Sequence, residues 1–218
     1  MKTDSKITDT LLCLTRDDPK FPHSKQVQSF ISAGSSFIQF RSKTLHPDTI
    51  FQEANISAVL SKENHCKLII NDYLDIAKKV GADGVHLGMN DSSVHRAREI
   101  LSPDKIVGKT VHSIPEARIA LKEKPDYVGL GPYRDSKTKK SLSPTLSIQD
   151  FQEIVEILRP IPVYLIGGLT FEDFPLIERM GIQGIALCSA LCGPFPMQQS
   201  LKEIIERSKG IEPSLINF

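Results

Sequence analysis

No stretch of this chain approaches the roughly 18 apolar residues of a membrane span, and the opening MKTDSKITDT lacks the apolar core of a signal peptide. A cytoplasmic protein is expected. Neither sign of charge is in excess: 27 Lys and Arg stand against 26 Asp and Glu, a net charge of +1. That balance gives no electrostatic case for nucleic acid or an anionic membrane as partner, so any anion-binding chemistry has to be local. Cysteine is scarce. Cys13, Cys66, Cys188 and Cys192 lie far apart or inside apolar runs, and Cys188 with Cys192 has no second pair to complete a metal site. They read as small core-filling thiols of a reducing compartment. No GxGxxG follows the first strand-like run, which weakens a dinucleotide-binding reading. Nothing resembles a linker, and 218 residues with 40% hydrophobic content suit one core, so residues 1–218 are expected to form one domain with a tail over 210–218.

What is present is a repeating alternation, clearest from Leu68 to Asp91. Lys67 to Ile70 is a short apolar run that stops at Asn71 and Asp72. Leu74, Ala77 and Val80 then recur at helical spacing, Gly81 supplies a left-handed stop, and Gly84 to Leu87 re-enters a strand before Gly88–Asp91. Strand, helix and strand with such short connections imply a parallel pair with a right-handed crossover, so Asp72 and Asp91 sit on one rim. Further strands are expected at Leu11–Thr15, Phe37–Arg41, Lys105–Thr110, Asp126–Gly131, Ile161–Ile166 and Gly184–Cys188. Helices are expected over His23–Ala33, Pro47–Leu60, Ser92–Leu101, Pro115–Lys122, Ile148–Leu158 and Phe171–Met180, with a last helical region from Ser189. Eight such units predict an α/β protein, a compact (β/α)8 TIM barrel, with an open doubly wound sheet as the alternative. The segment from Pro132 to Ser147 is long and holds four basic residues and several hydroxyls, which marks a lid or anion-binding loop.

On a barrel the strand ends share an address. Gln39, Arg41 and Lys43 fall on one face because side chains alternate along an extended chain, and that face suits an anion. Gly167 and Gly168 after strand seven, with Ser189 and Ala190 after strand eight, occupy the place where barrels often bind phosphate on backbone N–H groups and a helix N-terminus. Asp72 or Asp91 alone reads as a helix N-cap. Together with Gln39, Arg41, Lys43, Asn71 and Lys139, however, they surround one mouth with two carboxylates, cations and donors, as a diphosphate with magnesium would need. His86, inside a strand, reads as a hydrogen-bonded structural residue, whereas His112 sits past a strand end and is free for proton chemistry. His23, His46, His65 and His95 carry no pattern and are expected at the surface. The orientation of Tyr164, bulky for a barrel strand, is left open.

IQFRSK at Ile38–Lys43, IINDYLDIAKKVGADGVHLGMND, GKTVHS at Gly108–Ser113, YVGLGPYRDSKTKK at Tyr127–Lys140, IPVYLIGGLT and IALCSA together resemble the thiamine phosphate synthase family, in family order from Leu11 to Gly193. The resemblance implies a transferase that couples 4-amino-2-methyl-5-hydroxymethylpyrimidine diphosphate to 4-methyl-5-(2-phosphoethyl)thiazole, forming thiamine phosphate and pyrophosphate by a dissociative route. It implies that Gln39, Arg41, Lys43, Asn71 and Lys139 hold the diphosphate, that Asp72 and Asp91 hold Mg2+, and that Thr110, Ser136 and Thr138 supply hydroxyls near it. Arg41, Lys43, Thr110 and Lys139 would carry the catalysis, and Gly168, Cys188 and Ser189 would cradle the thiazole phosphate. Departures are Met89 and Asn90 for the usual glutamine and glutamate, Thr110 for serine, Ser136 for threonine, and the charges of Asp135 and Lys137. The rivals are a thiazole tautomerase-like isomerase using His112, which needs no diphosphate site, and a barrel that only binds a phosphorylated ligand. Small-molecule partners are expected and oligomeric state, homo-oligomer included, is left open.

Overall fold

The structure is a computed structural model that describes residues 7–134, 146–159, 161–192 and 197–211. Eight strands, β1 (Leu11–Leu14), β2 (Phe37–Phe40), β3 (Lys67–Asn71), β4 (Gly84–Leu87), β5 (Ile106–Val111), β6 (Tyr127–Leu130), β7 (Val163–Ile166) and β8 (Gly184–Leu187), pair in chain order. Every pair is parallel, and β8 closes on β1 with Leu12 opposite Ala186. The expected (β/α)8 barrel is the observed fold. Nearly every strand residue is buried, because helices cover the outer face and side chains fill the inner one.

The helices are α1 (His23–Ser32), α2 (Pro47–Glu63), α3 (Leu74–Val80), α4 (Val94–Ile100), α5 (Ile114–Glu123), α6 (Ile148–Ile157), α7 (Pro175–Met180) and α8 (Met197–Lys209). Their ends follow local chemistry. Gly81 closes α3 at φ +68°, Ser113 caps α5 ahead of Pro115, and Ser147 with Asp150 forms a reciprocal capping box on α6. Two expected helices differ. Phe171–Asp173 is a 3-10 turn, and α7 starts only at Pro175, whose missing N–H and fixed φ suit a first helical position. No helix begins at Ser189: Cys188 to Cys192 is a turn closed by Leu191 N–H on the Cys188 carbonyl at 2.9 Å, and α8 starts at Met197. Of the expected tail, only Gly210 and Ile211 are among the described residues.

Three aromatic rings sit at the heart of the barrel interior, among Leu12, Leu14, Ile69 and Ile106. Phe37, Tyr127 and Tyr164 pack with ring centroids 5.7–5.8 Å apart, edge and tilted contacts that add about 1 kcal/mol each beyond area burial. Glycine on neighbouring strands makes the room: a Cβ on Gly108 would lie 2.3 Å from Tyr127 Cζ, and one on Gly184 would lie 2.8 Å from Tyr164 Cε1. Tyr164 therefore points inward and donates its hydroxyl to the Asp9 carbonyl at the floor of the barrel. The plugged floor leaves the open end at the carboxyl termini of the strands.

Candidate active site

Alternation along the strands decides what faces this end. Phe37 fills the interior, so Gln39 does too, one layer higher; Ile69 likewise brings in Asn71, and Gly84 and Gly108 bring in His86 and Thr110. These four line a cavity of about 390 Å³ together with Arg16, Arg41, Lys43, Asp72, Asp91, His112, Gly167, Gly168, Cys188 and Ser189. Every expected site residue among the described ones except Ala190 therefore converges on one mouth. Ser136, Thr138 and Lys139, with Asp135 and Lys137, lie outside the described residues.

Neither acidic residue is a helix cap. Tyr73 occupies the N-cap of α3 without a side-chain bond, and Ser93 caps α4 through Arg96 N–H at 3.1 Å. Asp72 is held in the left-handed region at φ +66°, a backbone rare outside glycine that Asp and Asn tolerate best. Its N–H is fixed on the His86 carbonyl at 2.8 Å, and its carboxylate takes Lys43 Nζ at 2.5 Å. Burial and the adjacent Asp91 carboxyl raise the Asp72 pKa above the ordinary value even against the pull of Lys43. Asp91 Oδ2 accepts from Gly88 N–H at 2.6 Å. Beneath that loop the buried Lys109 reaches the Gly88 carbonyl at 3.3 Å and Glu123 at 3.7 Å.

Two close carboxylates oppose each other's charge, which a cation between them would relieve. Among the described residues no three His, Cys, Asp or Glu side chains could share a metal. A hard ion taking two protein oxygens and the rest from water and phosphate, as Mg2+ does, fits that donor set. Beside the pair, the Asn71 amide nitrogen is buried with no hydrogen-bond partner, a donor left for a ligand oxygen.

His86 lies below the mouth between Tyr127 (Nδ1 to Oη, 2.9 Å) and Thr110 (Nε2 to Oγ1, 2.8 Å), and Gln39 Nε2 reaches Tyr127 Oη at 3.4 Å. Burial drives its pKa down to about 3, so the ring is neutral. With Tyr127 accepting from Gln39 and donating to Nδ1, Nε2 donates to Thr110 and leaves the threonine proton for the mouth. His112 extends past β5 with its Nδ1–H on the Gly131 carbonyl, which leaves Nε2 directed away from that bond.

Across the mouth, Gly167 (φ +97°) and Gly168 (φ +65°) form a turn that admits no side chain: a Cβ on Gly168 would lie 2.7 Å from Arg134 Cβ. Arg134 clamps this turn, donating two bonds to Asp173 at 2.7 and 2.8 Å and a third to the Gly168 carbonyl at 3.3 Å. Phosphate at this wall would meet the amides of two turns rather than the expected helix N-terminus. Burial raises the Cys188 thiol, so it lines the wall as a neutral group.

One expectation is overturned. His23 is not a surface residue; it is 1% exposed and bonded to Thr15 and Asp17. The sequence signal was present in the polar rim Thr15–Asp17 at the end of β1, but only the fold sets that rim against the first turn of α1.

A closed parallel barrel whose open end gathers a carboxylate pair, cations, an unpartnered amide donor and a glycine turn defines a (β/α)8 enzyme for phosphorylated small molecules. Residues 8–191 match the family model described as thiamine monophosphate synthase. A thiamine-phosphate synthase of Flavobacterium psychrophilum is 37% identical over 184 residues, covering 81% of this chain and 89% of the relative. One from Phocaeicola vulgatus is 34% identical over 188 residues, covering 84% and 90%. The solved thiamine phosphate pyrophosphorylase from Pyrococcus furiosus superposes with a TM-score of 0.78 at 28% identity, covering 93% of this chain and 98% of that one. The chain belongs to the thiamine monophosphate synthase family and is a transferase.

Proposed function

We propose that this protein joins the pyrimidine diphosphate to the thiazole phosphate, releasing pyrophosphate and forming thiamine phosphate. The observation that carries the reading is the Asp72–Asp91 carboxylate pair beside Lys43 and the unpartnered Asn71 amide. Gln39, Arg41, Lys43, Asn71 and Lys139, with Thr110 near them, would hold the diphosphate, and Asp72 with Asp91 would hold Mg2+, which would neutralise charge gathering on the leaving group. Lys43 already touches Asp72, so a diphosphate bridging the cation and the metal site draws on contacts half built.

A dissociative route suits these residues. Among the described residues the one thiol lining the mouth, Cys188, is kept neutral by burial, whereas cations and oriented N–H and O–H donors converge where negative charge would develop as the pyrimidine–oxygen bond breaks. The Gly167–Gly168 turn and Cys188–Ser189 across the mouth would hold the thiazole phosphate, bringing its ring nitrogen to the electrophilic carbon. The four free cysteines among the described residues support work in a reducing cytoplasm. His112, which lines the mouth with Nδ1 held on the Gly131 carbonyl, supports a second reading as an isomerase of the thiazole phosphate, but that chemistry has no use for the carboxylate pair.

The test mixes purified protein with both substrates and follows thiamine phosphate as its fluorescent thiochrome. Product that requires Mg2+ and disappears with EDTA is expected. Isomerisation of the thiazole without coupling would overturn the reading.

A further inference from the structure

Gln39, Arg41 and Lys43 can grip a diphosphate only if the chain leaving β2 is held still, and the residues doing so lie on α1 and β1. His23 opens α1, stacks on Phe40 with ring centroids 4.4 Å apart and reaches two rim residues. Its Nδ1 lies 2.6 Å from Thr15 Oγ1 and its Nε2 lies 3.0 Å from Asp17 Oδ1. Thr15 Oγ1 accepts the Arg41 N–H at 2.9 Å. Asp17 takes Ser42 Oγ on Oδ1 at 2.6 Å, and the N–H groups of Lys43 and Thr44 on Oδ2 at 2.7 and 2.9 Å. Four successive residues, Arg41 to Thr44, are thus pinned by two acceptors, and one imidazole joins those acceptors.

The polarity of the network is fixed at its Asp17 end. Asp17 receives four hydrogen bonds that hold its carboxyl ionised against the cost of burial, well below the usual carboxylate range. An ionised carboxylate only accepts, so His23 Nε2 carries a proton. Thr15 Oγ1 accepts from Arg41 and keeps a second lone pair and its own proton for the contact with His23 Nδ1. One turn further along α1, Gln26 bonds the N–H and carbonyl of Arg16 at 3.0 and 2.8 Å and the Phe21 carbonyl at 2.7 Å, fastening the same β1–α1 loop.

We infer that His23 is a positioning residue for the diphosphate half of the site, acting through Thr15 and Asp17 to fix the backbone that carries Arg41 and Lys43. His23 does not line the cavity, and its side-chain bonds run to Thr15 and Asp17, which hold the β2 wall; the Gly167–Gly168 turn is held by the separate Arg134–Asp173 clamp. The inference rests on the synthase reading for the identity of the substrate, and its test includes a measurement that does not.

Titration calorimetry with inorganic pyrophosphate and Mg2+ is run on the wild type and on His23→Ala, His23→Gln and Thr15→Val, alongside steady-state kinetics with each substrate varied. His23→Ala should weaken pyrophosphate binding and raise KM for the pyrimidine diphosphate by roughly tenfold, the loss expected when hydrogen bonds to a charged group go. KM for the thiazole phosphate should stay within about twofold. His23→Gln, whose amide nitrogen replaces the Nε2 donor to Asp17, should recover most of the loss. If His23→Ala does not fold, the nearly isosteric Thr15→Val should give the same substrate-selective loss. Unchanged pyrophosphate affinity in a folded variant, or equal loss toward both substrates, would overturn the inference. Pyrophosphate binding that depends on His23 in a protein without synthase turnover would overturn the synthase reading and keep this one; wild type that binds no pyrophosphate would overturn both.

Discussion

At the scale of single residues, Asp72 concentrates the conflict between stability and function. Its backbone is left-handed, its carboxyl is partly buried and it opposes Asp91. A carboxyl raised in the fold costs stability once it is charged, over the interval from its unfolded value of about 3.9 up to the higher folded one. Asp72→Asn removes that charge and keeps a residue that accepts left-handed backbone. It should abolish turnover while leaving Tm equal or raised by up to a few degrees in metal-free buffer, as read by a calorimetric scan. The same variant should lose the Tm increase that Mg2+ with pyrophosphate confers on the wild type. A Tm fall of several degrees would mean that the Lys43 pair outweighs the repulsion. Asn71 carries a related prediction. Its amide nitrogen has no partner to lose, so Asn71→Ala should weaken pyrophosphate binding by roughly tenfold with a stability change under about 1 kcal/mol.

At the scale of elements, the β7 rim depends on a side chain from the β6 rim. Arg134 draws its Asp173 partner below the ordinary carboxylate range against burial, with the Thr170 N–H assisting. A carboxyl lowered in this way contributes stability that is complete above its unfolded value and is lost as pH falls through the lower folded value. Asp173→Asn should therefore lower Tm at neutral pH, and the gap from wild type should close below the carboxylate range, a pattern that paired melts across pH would reveal. Its kinetic effect should fall on the thiazole phosphate, the reverse of the His23 effect. Gly168→Ala should act on the same substrate more severely, because the left-handed backbone and the Arg134 Cβ 2.7 Å away both oppose a methyl group.

At the scale of the whole molecule, the barrel is a tube filled from below by Phe37, Tyr127 and Tyr164, and its capacity to hold a site at the top depends on that filling. Gly108→Ala places a methyl group 2.3 Å from Tyr127 Cζ inside a ring of aromatics with nowhere to shift. It should cost about 3 kcal/mol in denaturant unfolding, although Gly108 lies below the mouth and touches no substrate. The barrel itself was legible from the chain, since eight apolar runs ending in polar rims and separated by helical spacing admit few other arrangements. The mouth was legible too, at Asp72, Asp91, Asn71, Arg41 and Lys43, because a strand end puts its polar residues on a common rim whatever the details of packing. What the chain could not reveal was which polar residues find each other across long sequence separations. His23 looked like a surface residue because helical periodicity does not say that the first turn of α1 lies under the β1 rim. The inward turn of Tyr164 needed the glycines of neighbouring strands, and the cap reading of Asp72 and Asp91 gave way because Asp72 sits in left-handed backbone before Tyr73 and Ser93 caps α4 instead of Asp91. Periodicity along the sequence determined the strands, the helices and the rim they share, because these arise from local geometry. Only the closed barrel decided the partners, the burial and the charge of the groups on that rim, because those arise from contacts between distant segments.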